Sequence, residues 1–264
     1  MGYVHGYSDY EAGRLRNSAH ALSGLIHAQV RYPEGALVLE APCGVGAQTG
    51  FLVGNNPGTR FVCADISEAS VRVAMGQNPG LPFLAGDLYA LPFPNATFDH
   101  VFACYVLEHL ERPGRALENL LRVLKPGGTV TSVEGDHGSC FFYPETPEAL
   151  AAWACLPELQ ALLGGDSLIG RRMYSVLAGA GFSDVWVEPI RIYCDPSLPR
   201  MMKGFVEDTI VGMLRGIESE VIERGMLDPA VFRKGVEDIL AITTHPEGAF
   251  CYTFFRAVGS APDR

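Results

Sequence analysis

The 264-residue sequence lacks several features that would assign it to a membrane, secreted or metal-binding class. No apolar run reaches the roughly 18 residues that a membrane span requires. Residues 1–30 contain acids, arginine and histidine where a signal peptide has an unbroken apolar segment. The seven cysteines include no C-x-x-C pair, which favours reduced thiols over a zinc site or a disulfide framework. We therefore expect a cytoplasmic protein that keeps its N-terminus and binds no metal.

Positive charge is also scarce. There are 20 Lys and Arg against 30 Asp and Glu, and the formal net charge of -10 would repel a phosphate backbone. Hydrophobic residues make up 48% of the chain, enough for a well-buried core in a protein of this length. We predict a globular protein with no nucleic-acid or membrane partner, and a homo-oligomer is left open.

Short apolar runs bounded by Gly, Pro and Asn alternate with stretches of helical spacing over residues 36–133. This alternation predicts an open α/β sheet, mostly parallel, with helices on both faces. Strands are expected at 36–41, 60–64, 81–85, 98–104 and 128–133, with helices at 46–54, 67–77 and 114–124. After residue 144 we expect helices at 147–163, 168–180, 198–224 and 229–243 and strands at 183–193 and 249–258. The last strand is expected to be antiparallel.

We interpret the chain as one domain, since it has no repeat, low-complexity segment or linker. Residues 1–34 would contain a lid helix near 8–30, residues 35–143 the cofactor-binding core, and residues 144–264 the helical insertions and last strands that form the acceptor pocket.

A glycine-rich turn follows the first predicted strand. In VLEAPCGVGAQTG (38–50), Glu40 lies at the carboxyl end of that strand, where open α/β sheets bind ligands. Gly44 and Gly46 let the backbone approach a ligand and point amides at it. Asp65 ends the next strand and can accept the hydroxyls of a ribose, while Ser67 caps the following helix. For the glycine loop the alternative interpretation is a plain turn. For Asp65 the alternative is an aspartate that caps the following helix.

Charge favours one class of ligand over another. Glu40 would repel the diphosphate of a dinucleotide and attract the ammonium of an amino-acid ligand that also carries a sulfonium. The third strand ends in Gly86-Asp87-Leu88, where a carboxylate can accept the exocyclic amine of adenine, with a turn aspartate as the alternative. A methyl donor is favoured over a dinucleotide.

Four blocks in this order resemble the Rossmann-like (class I) S-adenosylmethionine-dependent methyltransferases. They are VLEAPCGVGAQ, CADIS, GDLYALPF and the stretch 98–128, all within residues 36–134. The resemblance implies that S-adenosylmethionine is bound by ten residues: Glu40, Gly44, Gly46 and Gln48 at the methionine end, Asp65 at the ribose, Ile66, Asp87 and Leu88 at the adenine, and Cys104 with Tyr105 at the crevice floor. One position departs from the family loop, because Pro42 replaces its first glycine and removes an amide donor.

Methyl transfer also needs a pocket that aligns the acceptor and a group that takes its proton. We predict that the fifth strand ends near Val133 and that His137, just beyond it, is catalytic and is oriented by Asp136. Tyr7, in the presumed lid, is the second catalytic candidate. Phe141 and Tyr143 are candidate substrate contacts, with core packing as the alternative.

The stretches EGDHGSC, 165–182 and 246–255 resemble a branch that methylates heterocycles or indole-type intermediates of bacterial antibiotics, such as toxoflavin-type and terpenyl-indole methyltransferases. This implies N- or C-methylation of a small heterocyclic or aromatic metabolite in bacterial secondary metabolism. A nicotinamide-dependent oxidoreductase and a catalytically inactive cofactor-binding protein remain the alternatives.

Overall fold

The computed structural model describes residues 9–263, except for the side chains of Asp9, Tyr10 and Ala12. Its strands are β1 (Leu37–Glu40), β2 (Arg60–Asp65), β3 (Phe83–Ala85), β4 (Phe98–Cys104), β5 (Leu124–Tyr143), β6 (Ser183–Cys194) and β7 (Ala249–Ser260). The helices are α1 (Asp9–Ile26), α2 (Thr49–Gly54), α3 (Glu68–Gln77), α4 (Pro113–Val123), α5 (Pro147–Leu162), α6 (Met173–Gly179), α7 (Pro199–Met201), α8 (Gly212–Glu223) and α9 (Pro229–Ala241). A π-helix (Met202–Val211) joins α7 to α8, and short 3-10 turns follow β4, precede α6 and follow α9.

The strands form a seven-stranded sheet in the order β3-β2-β1-β4-β5-β7-β6. The first five are parallel, with Leu39 of β1 opposite Val62 of β2 and Val101 of β4. β7 runs antiparallel to β5, since Ala261, just after its end, bonds to the backbone of Gly127 and Gly128 near the start of β5. The predicted fold class, an open and mostly parallel α/β sheet with an antiparallel strand near the C-terminus, is confirmed.

The end of β5 is the main difference from the predicted elements. The strand continues to Tyr143 rather than ending near Val133, so His137 lies within a strand and not in a loop after it. Gly135, Asp136 and Gly138 read as a turn in the sequence, because these residue types are rare inside strands. The extended backbone nevertheless continues to Tyr143 in a strand that neighbours β7 in the sheet, although its pairing with β4 ends at Val133.

Contacts within the described chain group it into two compact units. The sheet unit contains Ser23–Gly135, Ile169–Ile190 and the residues from Phe255 onward, and the helical unit contains the residues up to Leu22, Asp136–Leu168 and Arg191–Phe254. The assignment of the whole chain to one domain, with parts at 1–34, 35–143 and 144–264, stays a prediction. No helix among residues 9–263 is both long and apolar enough to cross a membrane.

The sheet unit has an apolar core formed by the sheet and amphipathic helices. Helix α4 begins with Pro113 in its first turn and buries Leu117 and Leu120 on one face, as the spacing of its leucines predicts. These side chains pack in the same cluster as Leu39 and Val101 of the central strands. This packing fixes the carboxyl ends of β1 and β4.

In the helical unit, α5 and α9 share the most extensive contact between two described helices. A Cβ at Gly235 of α9 would come within 2.1 Å of the Glu148 carbonyl oxygen, so only glycine allows this approach. Thr146 caps α5 by accepting the Ala149 amide at 3.1 Å, and its hydroxyl donates to Asp238 at 2.7 Å. The unit is therefore held by close backbone packing and by a capped helix start.

Candidate functional site

The loop after β1 is built on two glycines in the left-handed region. Gly44 has φ 53° and Gly46 has φ 77°, conformations that a side chain disfavours. A Cβ at Gly46 would also meet the Ala74 backbone at 3.0 Å, whereas a Cβ at Gly44 would meet nothing within 4 Å. Gly46 thus packs against α3, while the backbone at Gly44 borders open space that a ligand can occupy.

Glu40, at the end of β1, is almost fully buried, with 1% of its surface exposed. Its carboxylate accepts a hydrogen bond from the Thr49 hydroxyl at 2.7 Å and one from the Cys63 thiol at 3.5 Å. Burial raises the pKa of Glu40 to about 7 because a low-dielectric environment disfavours the ionised form. A cation bound nearby would favour the ionised form again.

Asp65, at the end of β2, connects the glycine loop to the start of α3. Its two carboxylate oxygens accept the amide of Gly44 at 2.8 Å and the amide of Ser67 at 2.9 Å. Burial raises the pKa of Asp65, and these two amides partly offset the effect. The Ser67 hydroxyl accepts the Ser70 amide at 3.2 Å, which confirms the predicted cap of α3. Asp65 therefore joins the glycine loop to the start of α3, and its role at the ribose stays a prediction.

The residues assigned to adenine lie after β2 and β3. Ile66 follows Asp65, and 63% of its surface is exposed. The Gly86 amide donates to the Asp65 carbonyl at 2.9 Å and thereby joins the two segments. Asp87 accepts the Tyr89 amide at 2.8 Å, as a turn aspartate does, while Leu88 is buried. The segment that carries the exposed Ile66 is thus bonded to the segment that carries the half-buried Asp87. The adenine role of Ile66, Asp87 and Leu88 stays a prediction.

The end of β4 carries a strained residue. Tyr105 follows the buried Cys104 and has φ 55°, an uncommon value for a bulky residue that is frequent at functional sites. Its amide donates to the Val133 carbonyl of β5 at 2.9 Å, which fixes this turn against the neighbouring strand. Both residues were predicted to form the crevice floor, and this role stays a prediction.

Glu134 of β5 was missed by the sequence analysis. Its fully buried carboxylate accepts the amides of Val106 at 3.0 Å and Leu107 at 2.9 Å, the residues after the strained Tyr105. Burial and the neighbouring Glu108 raise the pKa of Glu134, while these amides oppose the shift. The only sequence signal was an acid directly after the apolar run of β5. Its structural role is to hold the turn after β4.

His137 belongs to the helical unit and is buried. Its ring Nδ1 lies 2.6 Å from the Tyr252 hydroxyl of β7, and the indole nitrogen of Trp153 donates to its carbonyl at 3.2 Å. Burial lowers the pKa of His137 to about 4, so the imidazole is neutral at pH 7. The Asp136 carboxylate accepts the Gly138 amide at 3.0 Å, and the Tyr252 hydroxyl is one hydrogen-bond partner of the ring. That Asp136 also orients this ring stays a prediction.

Phe141 and Tyr143 follow on the same strand, with 57% and 54% of their surfaces exposed. Between them Phe142 is buried and stacks on Phe250 at a centroid distance of 5.8 Å. Alternation along the strand thus leaves the two predicted substrate contacts accessible and places their neighbour in the core. Tyr7, the other catalytic candidate, lies outside the described residues.

Comparison with known protein families and curated proteins identifies methyltransferases. Residues 39–131 match the family described as a methyltransferase domain, for which S-adenosylmethionine is the typical cofactor. The chain is 34% identical to a demethylmenaquinone methyltransferase of Renibacterium salmoninarum over 39% of this chain and 43% of that protein. It is 27% identical to a malonyl-(acyl-carrier protein) O-methyltransferase of Pseudescherichia vulneris over 64% of each. The chain thus spans less than two thirds of the length of these relatives.

Solved structures share the fold at low sequence identity. The (4+2)-cyclase SpnF has a TM-score of 0.54 and 19% identity, over 95% of this chain and 82% of that one. A phosphoethanolamine N-methyltransferase of Haemonchus contortus in complex with S-adenosylmethionine has a TM-score of 0.56 and 14% identity, over 92% of this chain and 52% of that one. These likenesses support the open-sheet fold typical of class I methyltransferases.

Proposed function

We propose that this protein, whose residues 39–131 belong to the methyltransferase-domain family, transfers a methyl group from S-adenosylmethionine to a small molecule. Fold likeness alone does not select this reaction, since a cyclase shares the fold. The proposal is carried by the two buried carboxylates, Glu40 and Asp65, at the ends of the adjacent strands β1 and β2.

The described residues fit this cofactor. The carboxylate of Glu40 suits a ligand end that carries an ammonium, and the backbone at Gly44 has space beside it. We assign the ribose hydroxyls to the buried carboxylate of Asp65, and the adenine to the exposed side chain of Ile66 and the half-buried carboxylate of Asp87. A dinucleotide diphosphate would instead meet acids at both strand ends, where no arginine or lysine offsets them among the hydrogen-bond partners of Glu40 and Asp65.

We further propose a planar aromatic or heterocyclic acceptor, the kind of substrate implied by the resemblance to antibiotic methyltransferases. The exposed rings of Phe141 and Tyr143 in the helical unit support this choice, because aromatic rings stack on planar substrates. When bound, S-adenosylmethionine supplies an electrophilic methyl group. The S–CH3 bond breaks as the bond to the acceptor nitrogen or carbon forms, and the acceptor loses a proton.

His137 is the group that we propose to accept that proton. Tyr252 holds the ring in one orientation, and the imidazole is neutral at pH 7. Because burial makes this imidazole a weak base, we expect it to relay the acceptor's proton onward rather than keep it. Tyr7 is retained as a second candidate that contacts the donor or the acceptor.

Calorimetry tests the cofactor first. We expect S-adenosylmethionine and its product S-adenosylhomocysteine to bind, and NAD not to bind. Binding of NAD without either adenosyl ligand would favour an oxidoreductase and refute the proposal. Turnover is then followed by mass spectrometry on a panel of indoles and nitrogen heterocycles, where a product heavier by one methylene group is expected.

His137→Gln tests the catalytic role on whichever acceptor is turned over. We expect kcat to fall at least about tenfold while S-adenosylhomocysteine affinity stays unchanged. Tyr252→Phe is the matched variant, because it keeps the ring and removes the hydroxyl that orients His137. Loss of cofactor affinity in His137→Gln to the same degree as kcat would assign His137 a structural role.

A further inference from the structure

His27, directly after α1, is fully buried in the sheet unit. Its ring lies between two phenylalanines, stacked on Phe51 at a centroid distance of 6.2 Å and tilted against Phe102 at 5.4 Å. His27 has been given no role in binding the cofactor or the acceptor. A polar ring in such apolar surroundings must be stabilised by hydrogen bonds.

The hydrogen bonds of His27 extend to both ends of helix α2. Its Nε2 bonds to Oε1 of Gln48, the residue immediately before the helix. Its carbonyl oxygen accepts the side-chain amide of Asn55, the residue immediately after the helix, at 3.1 Å. Arg31 donates to the same carbonyl at 3.1 Å. His27 therefore fixes α2 with its side chain at one end and its backbone at the other.

The tautomer of His27 follows from burial. Its Nδ1 is buried and has no hydrogen-bond partner among the described residues. A proton there would be an unsatisfied buried donor, which is more costly than an unpaired acceptor. The proton therefore lies on Nε2, which donates it to the side-chain oxygen Oε1 of Gln48. Protonation of both nitrogens is disfavoured, since burial lowers the pKa of His27.

This tautomer also determines how Gln48 is oriented. With its carbonyl oxygen occupied by His27, the carboxamide of Gln48 turns its NH2 group away from that ring. No hydrogen bond in the described part of the chain occupies this NH2, and Gln48 is half-buried in the glycine loop. The glycine loop therefore presents an oriented donor at Gln48, the residue before Thr49, whose hydroxyl donates to Glu40.

We propose that His27 is a positioning residue that aims the Gln48 NH2 at the carboxylate of the cofactor's amino-acid portion. This inference rests on the proposed function and extends it. The pair His27–Gln48 then selects adenosyl ligands that carry an amino-acid end over those that lack it, while Asp65 and Asp87 serve the part common to both. Glu40 would bind the ammonium and Gln48 the carboxylate of the same group.

Two ligands and three variants test this selection by calorimetry. S-adenosylhomocysteine has the amino-acid end, and 5′-methylthioadenosine lacks it. For His27→Phe, which keeps a ring between Phe51 and Phe102, we expect S-adenosylhomocysteine to bind about tenfold more weakly, the usual effect of losing one oriented hydrogen bond. 5′-Methylthioadenosine should bind as to wild type. Gln48→Leu should behave in the same way, and the double variant should be no weaker than either single one.

Rescue separates positioning from general loop damage. His27→Gln keeps an amide donor toward Gln48 and should recover most of the S-adenosylhomocysteine affinity. Unchanged S-adenosylhomocysteine affinity in His27→Phe, or an equal loss for both ligands, would overturn the inference. If His27→Phe does not fold, the ligand ratio in Gln48→Leu decides, and a wild-type ratio there would also overturn it. Failure of the wild-type protein to bind either ligand would instead refute the proposed function.

Discussion

Replacing Glu40 by glutamine separates what this carboxylate contributes to binding from what it costs in stability. Burial raises its pKa from an ordinary 4.5 to about 7. Between these two values the folded protein holds a proton that the unfolded chain releases, so the free energy of unfolding falls as pH rises. Each pKa unit corresponds to about 1.4 kcal/mol, so the ionised Glu40 lowers stability by about 3 kcal/mol above pH 7.

We therefore expect Glu40→Gln to be more stable than wild type by about 1–3 kcal/mol at pH 8 and nearly equal to it at pH 4.5. The lower bound allows for weaker bonds from Thr49 and Cys63 to an amide oxygen. Urea unfolding of the ligand-free protein, followed by circular dichroism, measures the difference. Glu111→Gln, at an exposed carboxylate, is the control and should change little.

Binding should respond with the opposite sign. At pH 8 the variant lacks the charge that pairs with the ligand ammonium, so S-adenosylhomocysteine should bind more weakly than to wild type. Toward pH 6 wild-type Glu40 becomes protonated, and the affinity ratio of the two proteins should shrink by about tenfold. The ligand titrates identically with both proteins and cancels from this ratio. A variant that is no more stable at pH 8, or an affinity ratio that does not change with pH, would refute the reasoning.

Three further substitutions follow from the same geometry. Asp65→Ala should weaken S-adenosylhomocysteine binding by about 1–3 kcal/mol, because the ribose hydroxyls lose their acceptor, and calorimetry showing wild-type affinity would place the ribose elsewhere. Gly46→Ala should lower the free energy of unfolding by about 1–2 kcal/mol or more. Gly44→Ala should lower it less, because both glycines have positive φ but only Gly46 packs against backbone. Equal losses in urea unfolding would contradict this packing. Thr146→Ala should lower stability by about 1 kcal/mol through loss of the α5 cap, Thr146→Ser should not, and thermal unfolding distinguishes them.

The alternating elements of the sheet unit could be predicted because each carries a local signal. β2, predicted at 60–64, is Arg60–Asp65, and α3, predicted at 67–77, is Glu68–Gln77 with Ser67 as its cap. Apolar period and capping chemistry act within a few residues, so a single sequence displays them. The same holds for α4, whose buried face repeats at helical spacing.

Features that depend on distant partners could not be predicted in this way. The π-helix Met202–Val211 lies inside the stretch 198–224, which was predicted as one helix. The apolar residues of this stretch indicate a helix but do not show which hydrogen-bond spacing the helix has. Glu134 satisfies amides that lie 26 to 28 residues earlier in the chain. The bond between His27 and Gln48 spans 21 residues. Such contacts leave no periodic signal and become visible only when the strands are assembled.

Electrostatics, rather than topology, distinguishes the possible reactions of this fold. Open sheets with a glycine loop after the first strand bind dinucleotides as well as adenosyl ligands, and the loop amides suit either. Here the loop amide of Gly44 is already bonded to Asp65, and Glu40 lies buried beneath the same loop. Two acids at this position strengthen the binding of a cationic ligand and weaken the binding of a diphosphate. The pH dependence of binding therefore reports on the class of reaction, because a methyl donor should bind better as Glu40 ionises and a dinucleotide should bind worse.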